Sequence, residues 1–405
     1  MKVKLRRPNV LWQVCSAHFV SHVYIMLIPS LLPILPNLMQ VNFLQLGVAL
    51  AVFGVVSAVV QAPLGFLTDR WGARRLLGVA LLLGAAGFGV LAMQPSYPVL
   101  LGVMAVAGVA NGVYHPADYA LLSRCIASAR MGRAFSLHTF FGFLGAALTP
   151  LVMVGVAQRA GLNVALWLAS GVGLAALLIL AGGQSAHALG EEEIAPTKTN
   201  RAPRRPLRIE VSTVAVLIVL FALLSLSTGA IEKFSVSALT YGLAVPLSVA
   251  NTALTGFLMA SAVGVLAGGF LADRTDQHGV LAGLAFAGAA LLVVIVITLP
   301  LPAWILIAVL TMTGFLTGVV APSRDMLVRA ASPKGKEGHT FGLVSTGFSV
   351  GAIAGPVGFG WLIDRHLPLM VLWAAVGFMV LTTVVVLWQE YREKSLLSNA
   401  KSGLA

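Results

Sequence analysis

The chain has 405 residues, of which 58% are hydrophobic and only 10% are charged, and it carries a formal net charge of +12. Soluble domains contain roughly 25% charged residues, so this composition excludes an ordinary soluble protein and indicates an integral membrane protein. A positive charge of this size is also typical of nucleic-acid-binding proteins. Here the basic residues lie in short loops between apolar runs, so we predict no nucleic-acid partner.

Twelve apolar runs are long enough to cross a bilayer, which takes about 20 residues of α-helix. They lie near residues 10–36, 43–67, 75–94, 98–123, 134–157, 163–182, 211–236, 246–271, 279–299, 302–329, 339–362 and 367–389. We therefore predict an all-α, multi-pass membrane protein with twelve transmembrane helices. The loop arginines and lysines concentrate on one side of these spans, together with both chain ends, and this bias predicts that both termini are cytoplasmic.

The first span contains AHFVSHVYIMLIPSLLP, in which His18 and His22 are four residues apart and share a helix face. Three interpretations stay open for this pair: a metal site, proton coupling, or hydrogen bonds that fix helix packing. The sequence has no HExxH motif and no thiolate cluster, so we predict neither a metal nor another cofactor. Both histidines are candidate coupling residues.

The loop after the second span reads GFLTDRWGARRLL, residues 65–77. Its glycines allow a tight turn, and an aspartate there can pair with cations or with a facing helix N-terminus. The motif resembles the loop signature of the major facilitator superfamily, and the resemblance implies a conformational latch. A shorter copy, GFLADR, occupies residues 269–274. The predicted latch residues are Gly65, Asp69, Arg70, Gly72 and Arg74, with Asp273 and Arg274 in the second copy.

The fourth span ends in NGVYHPADYALLSR, residues 111–124, where helical spacing puts Asn111, His115 and Asp118 on one face. Polar residues at membrane depth are rare and usually face an aqueous path, so these three and Tyr114 are candidate substrate-binding or coupling residues. In the fifth span, His138 is the only histidine, and we interpret it as a packing residue.

The chain divides into two similar halves. The polar segment 184–209 predicts a flexible cytoplasmic linker between a bundle of residues 1–183 and a bundle of residues 210–405. GFLTDR and GFLADR are 204 residues apart, and Gly112 and Pro116 recur as Gly318 and Pro322 after 206 residues. Two parallel-topology repeats of six helices fit the major facilitator architecture.

The shift of 206 residues carries Asp118 onto Arg324, which has Asp325 beside it. We predict that Asp118 and Arg324 pair as an inner gate. In the alternative, each charge is satisfied in its own half, with Arg324 held by Asp325 or by a carbonyl group. In the seventh span, Glu232 and Lys233 point about 100° apart, so one of them could serve an outer gate, or both could lie at the membrane interface.

Three further motifs resemble the fosmidomycin-resistance-like group of the superfamily: Ser21-His22, the Gln61-Ala62-Pro63 segment and Tyr114-His115-Pro116. The group carries an acidic residue directly after that proline, whereas this chain has Ala117 there and Asp118 one position later. The resemblance implies proton-linked export of small polar or anionic compounds across the bacterial inner membrane. It also implies a monomer, which is the usual state in the superfamily.

These observations together predict a proton-coupled secondary transporter that exports a small organic solute by alternating access. Its partners would be that small molecule, protons and the lipid bilayer. Arg324 suits an anionic solute, because guanidinium groups match carboxylates and phosphonates. A proton-coupled symporter that takes up an organic acid is the alternative within this class. An intramembrane enzyme is the alternative from another class, but HExxH and aspartate-rich motifs are absent from the sequence, so we predict no enzymatic activity.

Overall fold

The structure is a computed structural model that describes residues 9–126, 130–183, 211–275, 277–332, 340 and 343–402. Its helices are α1 (Val10–Leu31), α2 (Leu35–Met39), α3 (Phe43–Trp71), α4 (Ala73–Met93), α5 (Tyr97–Cys125), α6 (Met131–Ala160), α7 (Leu162–Gly182), α8 (Val211–Gly242), α9 (Leu247–Ala272), α10 (His278–Thr298), α11 (Ala303–Ala331), α12 (Thr346–Asp364) and α13 (Leu369–Ser402). Within the described residues, every one of these helices except α2 is long and apolar enough to span a membrane, twelve in all. The predicted all-α architecture is confirmed.

Glycine and proline set several of the helix boundaries. Gly72 separates α3 from α4 with φ of 91°, and Gly161 separates α6 from α7 with φ of 95°. Such positive φ values favour glycine, which has no Cβ to clash with the backbone. The first predicted run continues to residue 36, whereas α1 ends at Leu31 and the short α2 begins at Leu35, with a proline in its first turn. Proline suits that position because the first amide of a helix needs no partner within the helix.

The chain forms two compact units. Of the described residues, unit 1 contains 9–27, 55–126, 130–146 and 156–183, all from the first half of the sequence. Unit 2 contains the described residues from 211 onward together with two pieces of the first half, 28–54 and 147–155. The end of α1, the short α2, the beginning of α3 and an internal stretch of α6 therefore belong to the unit that contains the second half. The predicted linker at 184–209 lies outside the described residues, so the division into two bundles at that point stays a prediction.

A carboxylate caps the beginning of α3 within unit 2. The backbone N–H groups of Phe43 and Leu44 donate to the two oxygens of Asp364, at 2.9 and 2.7 Å. Asp364 is the last residue of α12. First-turn amides of a helix have no partner within the helix, and the helix dipole favours a negative charge there. The end of α12 is thus fixed to the start of α3 across 320 residues of sequence.

Glycines allow α9 and α11 to pack with their backbones in contact. A Cβ atom added at Gly318 would collide with the carbonyl group of Ser261, and one at Gly314 would collide with the carbonyl group of Phe257. Small residues at such crossings are a common means of close helix packing in membranes.

We expect Gly318→Ala to lower the melting temperature of the purified protein, with a cost of about 1–3 kcal/mol for the forced separation of the two helices. Gly269→Ala is the matched control on α9, because an added Cβ there has no atom within 4 Å. The control should be neutral or stabilising, since alanine favours helix more than glycine does. Equal melting temperatures for the two variants would show that the close contact between α9 and α11 does not contribute to stability.

Candidate functional site

Three helices of unit 1 converge on one buried carboxylate. Asp118 on α5 has no solvent-exposed surface. Its Oδ2 atom lies 3.0 Å from Nε2 of His138 on α6, within hydrogen-bonding distance. The same oxygen lies 3.5 Å from Nδ1 of His18 on α1. His18 and His138 are themselves buried, so this carboxylate and its two imidazoles are removed from solvent together.

Two more histidines extend this group. The rings of His18 and His138 are stacked, with centroids 3.7 Å apart, and the ring of His22 lies 4.7 Å from that of His18. His115, one turn before Asp118, has its ring centroid 5.4 Å from that of His18. We call Asp118 and these four histidines the histidine cluster. The predicted face-sharing of His18 and His22 on α1 is thus part of a larger arrangement that includes α5 and α6.

Glycines on α6 make room for the cluster. A Cβ atom at Gly142 would lie 2.6 Å from Nε2 of His18 and 2.9 Å from Nε2 of His22. A side chain at Gly145 would collide with the backbone of Phe19. The small residues of GFLGAAL therefore let α6 approach α1 closely, and this approach brings His138 to Asp118.

Several polar atoms in and beside the cluster are buried without a hydrogen-bond partner among the described residues. They are Nδ1 of His18, Nδ1 of His115, Oδ1 of Asp118 and the hydroxyl group of Tyr114. The His18–Asp118 contact is long enough that it does not satisfy Nδ1 as a hydrogen bond. Buried polar groups without partners are costly and are usually satisfied by a ligand, an ion or water. The cluster thus has free capacity to hold a proton, an ion or a polar group.

Asn111, the remaining polar residue on the predicted face of α5, is turned to another helix. Its Nδ2 donates to the hydroxyl oxygen of Ser57 on α3, at 2.7 Å. Asn111 therefore ties α5 to α3 one turn from the cluster.

Arg324 is satisfied within unit 2. Its Nε donates to Oδ1 of Asp325 at 2.9 Å, and a terminal guanidinium nitrogen lies 2.8 Å from the same oxygen. The guanidinium carbon lies 5.1 Å from the ring centroids of both Phe221 and Phe348. Each charge has a partner within its own unit: His138 for the carboxylate of Asp118 and Asp325 for the guanidinium of Arg324. The pairing of Asp118 with Arg324 as an inner gate stays a prediction.

The predicted outer-gate residues lie well inside α8. Glu232 and Lys233 are both partly buried, and Lys233 lies about two and a half turns before the helix ends at Gly242. Their role in an outer gate stays a prediction.

The predicted latch residues have separate environments. Arg74 donates to the carbonyl oxygens of Leu180 and Gly183, so it joins α4 to the end of α7. Arg70 is exposed, Gly65 is partly buried, and Gly72 makes the turn between α3 and α4. In the second copy, Asp273 is exposed and the guanidinium group of Arg274 stacks over the ring of Phe270 at 3.4 Å. The side chain of Asp69 lies outside the described part of the chain, so the latch stays a prediction.

The family model of the Major Facilitator Superfamily matches residues 14–244 and 232–404. An uncharacterized MFS-type transporter of Bacillus subtilis, YfnC, is 28% identical over 349 residues, with 83% of this chain and 82% of that protein covered. The fosmidomycin resistance protein of Escherichia coli is 26% identical over 77% of this chain and 74% of its own length. A probable sulfoacetate transporter of Cupriavidus necator, SauU, is 24% identical over 95% of both chains.

Solved structures show the same fold. A bacterial homolog of the human lysosomal transporter Spinster, in an inward-facing and occupied conformation, has a TM-score of 0.74 at 13% identity, with 95% of this chain and 96% of that chain covered. The nucleoside transporter NupG has a TM-score of 0.72 at 14% identity, with 94% and 99% covered. The family model and the relatives confirm the resemblance that the loop signature predicted, and the twelve spans agree with it. The chain therefore belongs to the Major Facilitator Superfamily and is an integral, multi-pass secondary transporter of small molecules.

Proposed function

We propose that this transporter exports a small organic anion across the bacterial inner membrane, that proton entry drives the export, and that the protein acts as a monomer with cytoplasmic termini. The observation that carries the proposal is the buried Asp118 with His138 and His18 beside it. The Escherichia coli relative is named for drug resistance, which supports outward transport. Uptake of an organic acid together with protons is the second candidate, because the same cluster could couple either direction.

The histidine cluster supports the proton-coupled part of the proposal. A charged group at membrane depth is costly unless it is paired, and Asp118 has an imidazole within 3.0 Å. Imidazole exchanges protons near neutral pH. Gain or loss of one proton changes the net charge of a buried group, and with it the cost of keeping that group away from water. A protonation event at Asp118 can therefore favour one conformation of the surrounding helices over another.

The environment of Arg324 supports the proposal that the transported solute is an anion. Its side chain is 20% exposed and that of Asp325 is 48% exposed, so the carboxylate that now binds the guanidinium can turn into solvent. A substrate carboxylate, sulfonate or phosphonate could then take its place on the same donors. Phe221 and Phe348 hold the guanidinium from the sides and would fix its orientation. One relative is named as a probable transporter of sulfoacetate, which is an organic anion.

We expect Arg324→Ala to raise the substrate concentration for half-maximal transport by about 10- to 100-fold, because a hydrogen bond to a charged group contributes about 1.5–3 kcal/mol. The measurement is transport in proteoliposomes with a pH gradient, across a panel of small carboxylates, sulfonates, phosphonates, lipophilic cations and neutral drugs. Arg329→Ala, on an exposed position of the same helix, is the control.

If lipophilic cations are the transported compounds and Arg324→Ala transports them as the wild type does, the anion proposal fails. If anions are transported equally fast with and without a pH gradient, proton coupling is excluded. The proposal that the solute is an anion would still stand.

A further inference from the structure

We propose that His18, Asp118 and His138 form a binding site for a divalent transition-metal ion of the zinc class. The three side chains come from α1, α5 and α6, and each is buried. Each offers one donor atom, and these atoms lie within 4.8 Å of one another. The family membership established above does not assign such a site, and metal binding here does not depend on which solute is transported or in which direction.

The donor spacing is close to what a tetrahedral metal site needs. Metal–nitrogen and metal–oxygen bonds of 2.0–2.2 Å place neighbouring tetrahedral donors roughly 3.4 Å apart. The two nitrogens lie 3.0 and 3.5 Å from Oδ2 of Asp118, on either side of that value. The two imidazoles are stacked, and because the lone pair of an imidazole lies in the plane of its ring, metal binding would tilt the two rings towards a common point. Zinc has no electronic preference for one coordination geometry and so tolerates unequal distances between the donor atoms.

The chemistry of the donors selects the class of metal. Two imidazoles with one carboxylate suit zinc, cobalt and nickel, whereas magnesium and calcium prefer sites made only of oxygens. Zinc sites with three protein ligands keep a fourth position for water or another group. Nδ1 of His115 is buried, lacks a hydrogen-bond partner among the described residues, and belongs to a ring 5.4 Å from that of His18. Apart from Nδ1 of His18, it is the one nitrogen of the histidine cluster that is buried without a hydrogen-bond partner among the described residues, which makes it the candidate for that fourth position.

Hydrogen bonds among His18, Asp118 and His138 leave some of their buried polar atoms without partners. His138 satisfies one oxygen of Asp118, but the other oxygen and Nδ1 of His18 are buried without hydrogen-bond partners in the described chain. An unsatisfied donor or acceptor of this kind calls for an ion or a water molecule. A divalent cation would engage these lone pairs together, and it would offset the negative charge of the carboxylate. Because metal and protons need the same lone pairs, a bound metal would also hold the cluster in one protonation state.

The test is a titration of the purified full-length protein, without a polyhistidine tag, with Co²⁺ and then Zn²⁺ in detergent. Co²⁺ ligated by histidine absorbs visible light, so the spectrum reports stoichiometry and ligation without a transport assay. We expect one Co²⁺ per chain with a dissociation constant at or below about 1 µM, displacement by Zn²⁺, and a higher melting temperature with Zn²⁺ than with Mg²⁺.

Asp118→Asn and His138→Gln should each weaken binding by at least about tenfold, since the loss of a supporting residue alone has that effect at metal sites. His366→Gln, at an exposed histidine, should bind Co²⁺ as the wild type does. Size-exclusion chromatography shows whether each variant is folded, and the comparison of Zn²⁺ with Mg²⁺ on the wild type does not depend on any variant. The proposal is overturned if the wild type gives no visible spectrum, or if the spectrum persists unchanged in folded Asp118→Asn and His138→Gln.

Discussion

Asp118→Asn is expected to reduce proton-driven transport to the level of liposomes without protein, while exchange of labelled for unlabelled substrate continues. The amide has nearly the shape of the carboxylate and can still bond to His138, 3.0 Å away in the wild type, so the helices should pack as before. It cannot take up and release a proton, and so the protonation step that would couple transport to the gradient is lost. Of all the single substitutions proposed here, this one should have the largest effect on activity.

The measurement compares two assays on the same proteoliposomes: accumulation driven by a pH gradient, and exchange at equal pH on both sides. Asp325→Asn is the informative companion, because it also removes one carboxylate but should change substrate affinity rather than coupling. Gradient-driven accumulation by folded Asp118→Asn at the wild-type rate would exclude this carboxylate as the proton carrier. Loss of both accumulation and exchange would instead show that Asp118 is needed for substrate binding or for the conformational change.

The sequence predicted the fold well because the bilayer imposes a simple rule on it. Each span must be a long apolar helix, and this leaves a pattern that can be read residue by residue. The helix face shared by His18 and His22 was predictable for the same reason, since it depends only on the helical period. The convergence of His138 on Asp118 was not. It depends on how closely α6 approaches α1, which Gly142 and Gly145 allow.

The predicted pair of Asp118 and Arg324 illustrates a second limit. Internal repeats relate positions in the two halves, but they do not say which side chains meet. Arg324 has Asp325 beside it in sequence, and this neighbour needs no conformational change to supply a carboxylate at 2.8 Å. Asp118 has imidazoles from the adjacent helices. Both charges thus have local partners, and the longer-range pair of a closed inner gate stays a prediction.

Asp364 shows what a motif search overlooks. A single acidic residue at the end of a span usually lies at the membrane interface, and no family signature marks this one. Asp364 accepts hydrogen bonds from the first turn of α3, which is far away in the sequence. Alternating access requires opposite ends of the transporter to open in turn, so the start of α3 and the end of α12 must separate when their end opens. We infer from this requirement that the cap forms in only one of the two conformations.

We therefore expect Asp364→Ala to favour the conformation in which α3 and α12 are apart at this end. Loss of two hydrogen bonds to a carboxylate should cost the capped conformation about 2 kcal/mol after water replaces them, which shifts the populations roughly thirtyfold. Asp364→Asn should shift them less, because asparagine also caps helices. Spin labels at Leu38→Cys and Leu367→Cys, both exposed positions, in a background with Cys15 and Cys125 replaced, report the separation as a distance distribution.

Arg365→Ala is the control for this distance measurement. It removes the adjacent charge, which lies over the ring of Trp361, and leaves the cap in place. The longer distances should gain population in Asp364→Ala, to a smaller extent in Asp364→Asn, and not in Arg365→Ala. If all four proteins give the same distribution, the cap stabilises α3 locally and has no part in conformational change. If Arg365→Ala behaves like Asp364→Ala, the charge of the loop matters rather than the hydrogen bonds to Phe43 and Leu44. The ordered response of the three variants would connect one carboxylate at the end of α12 to the equilibrium on which transport depends.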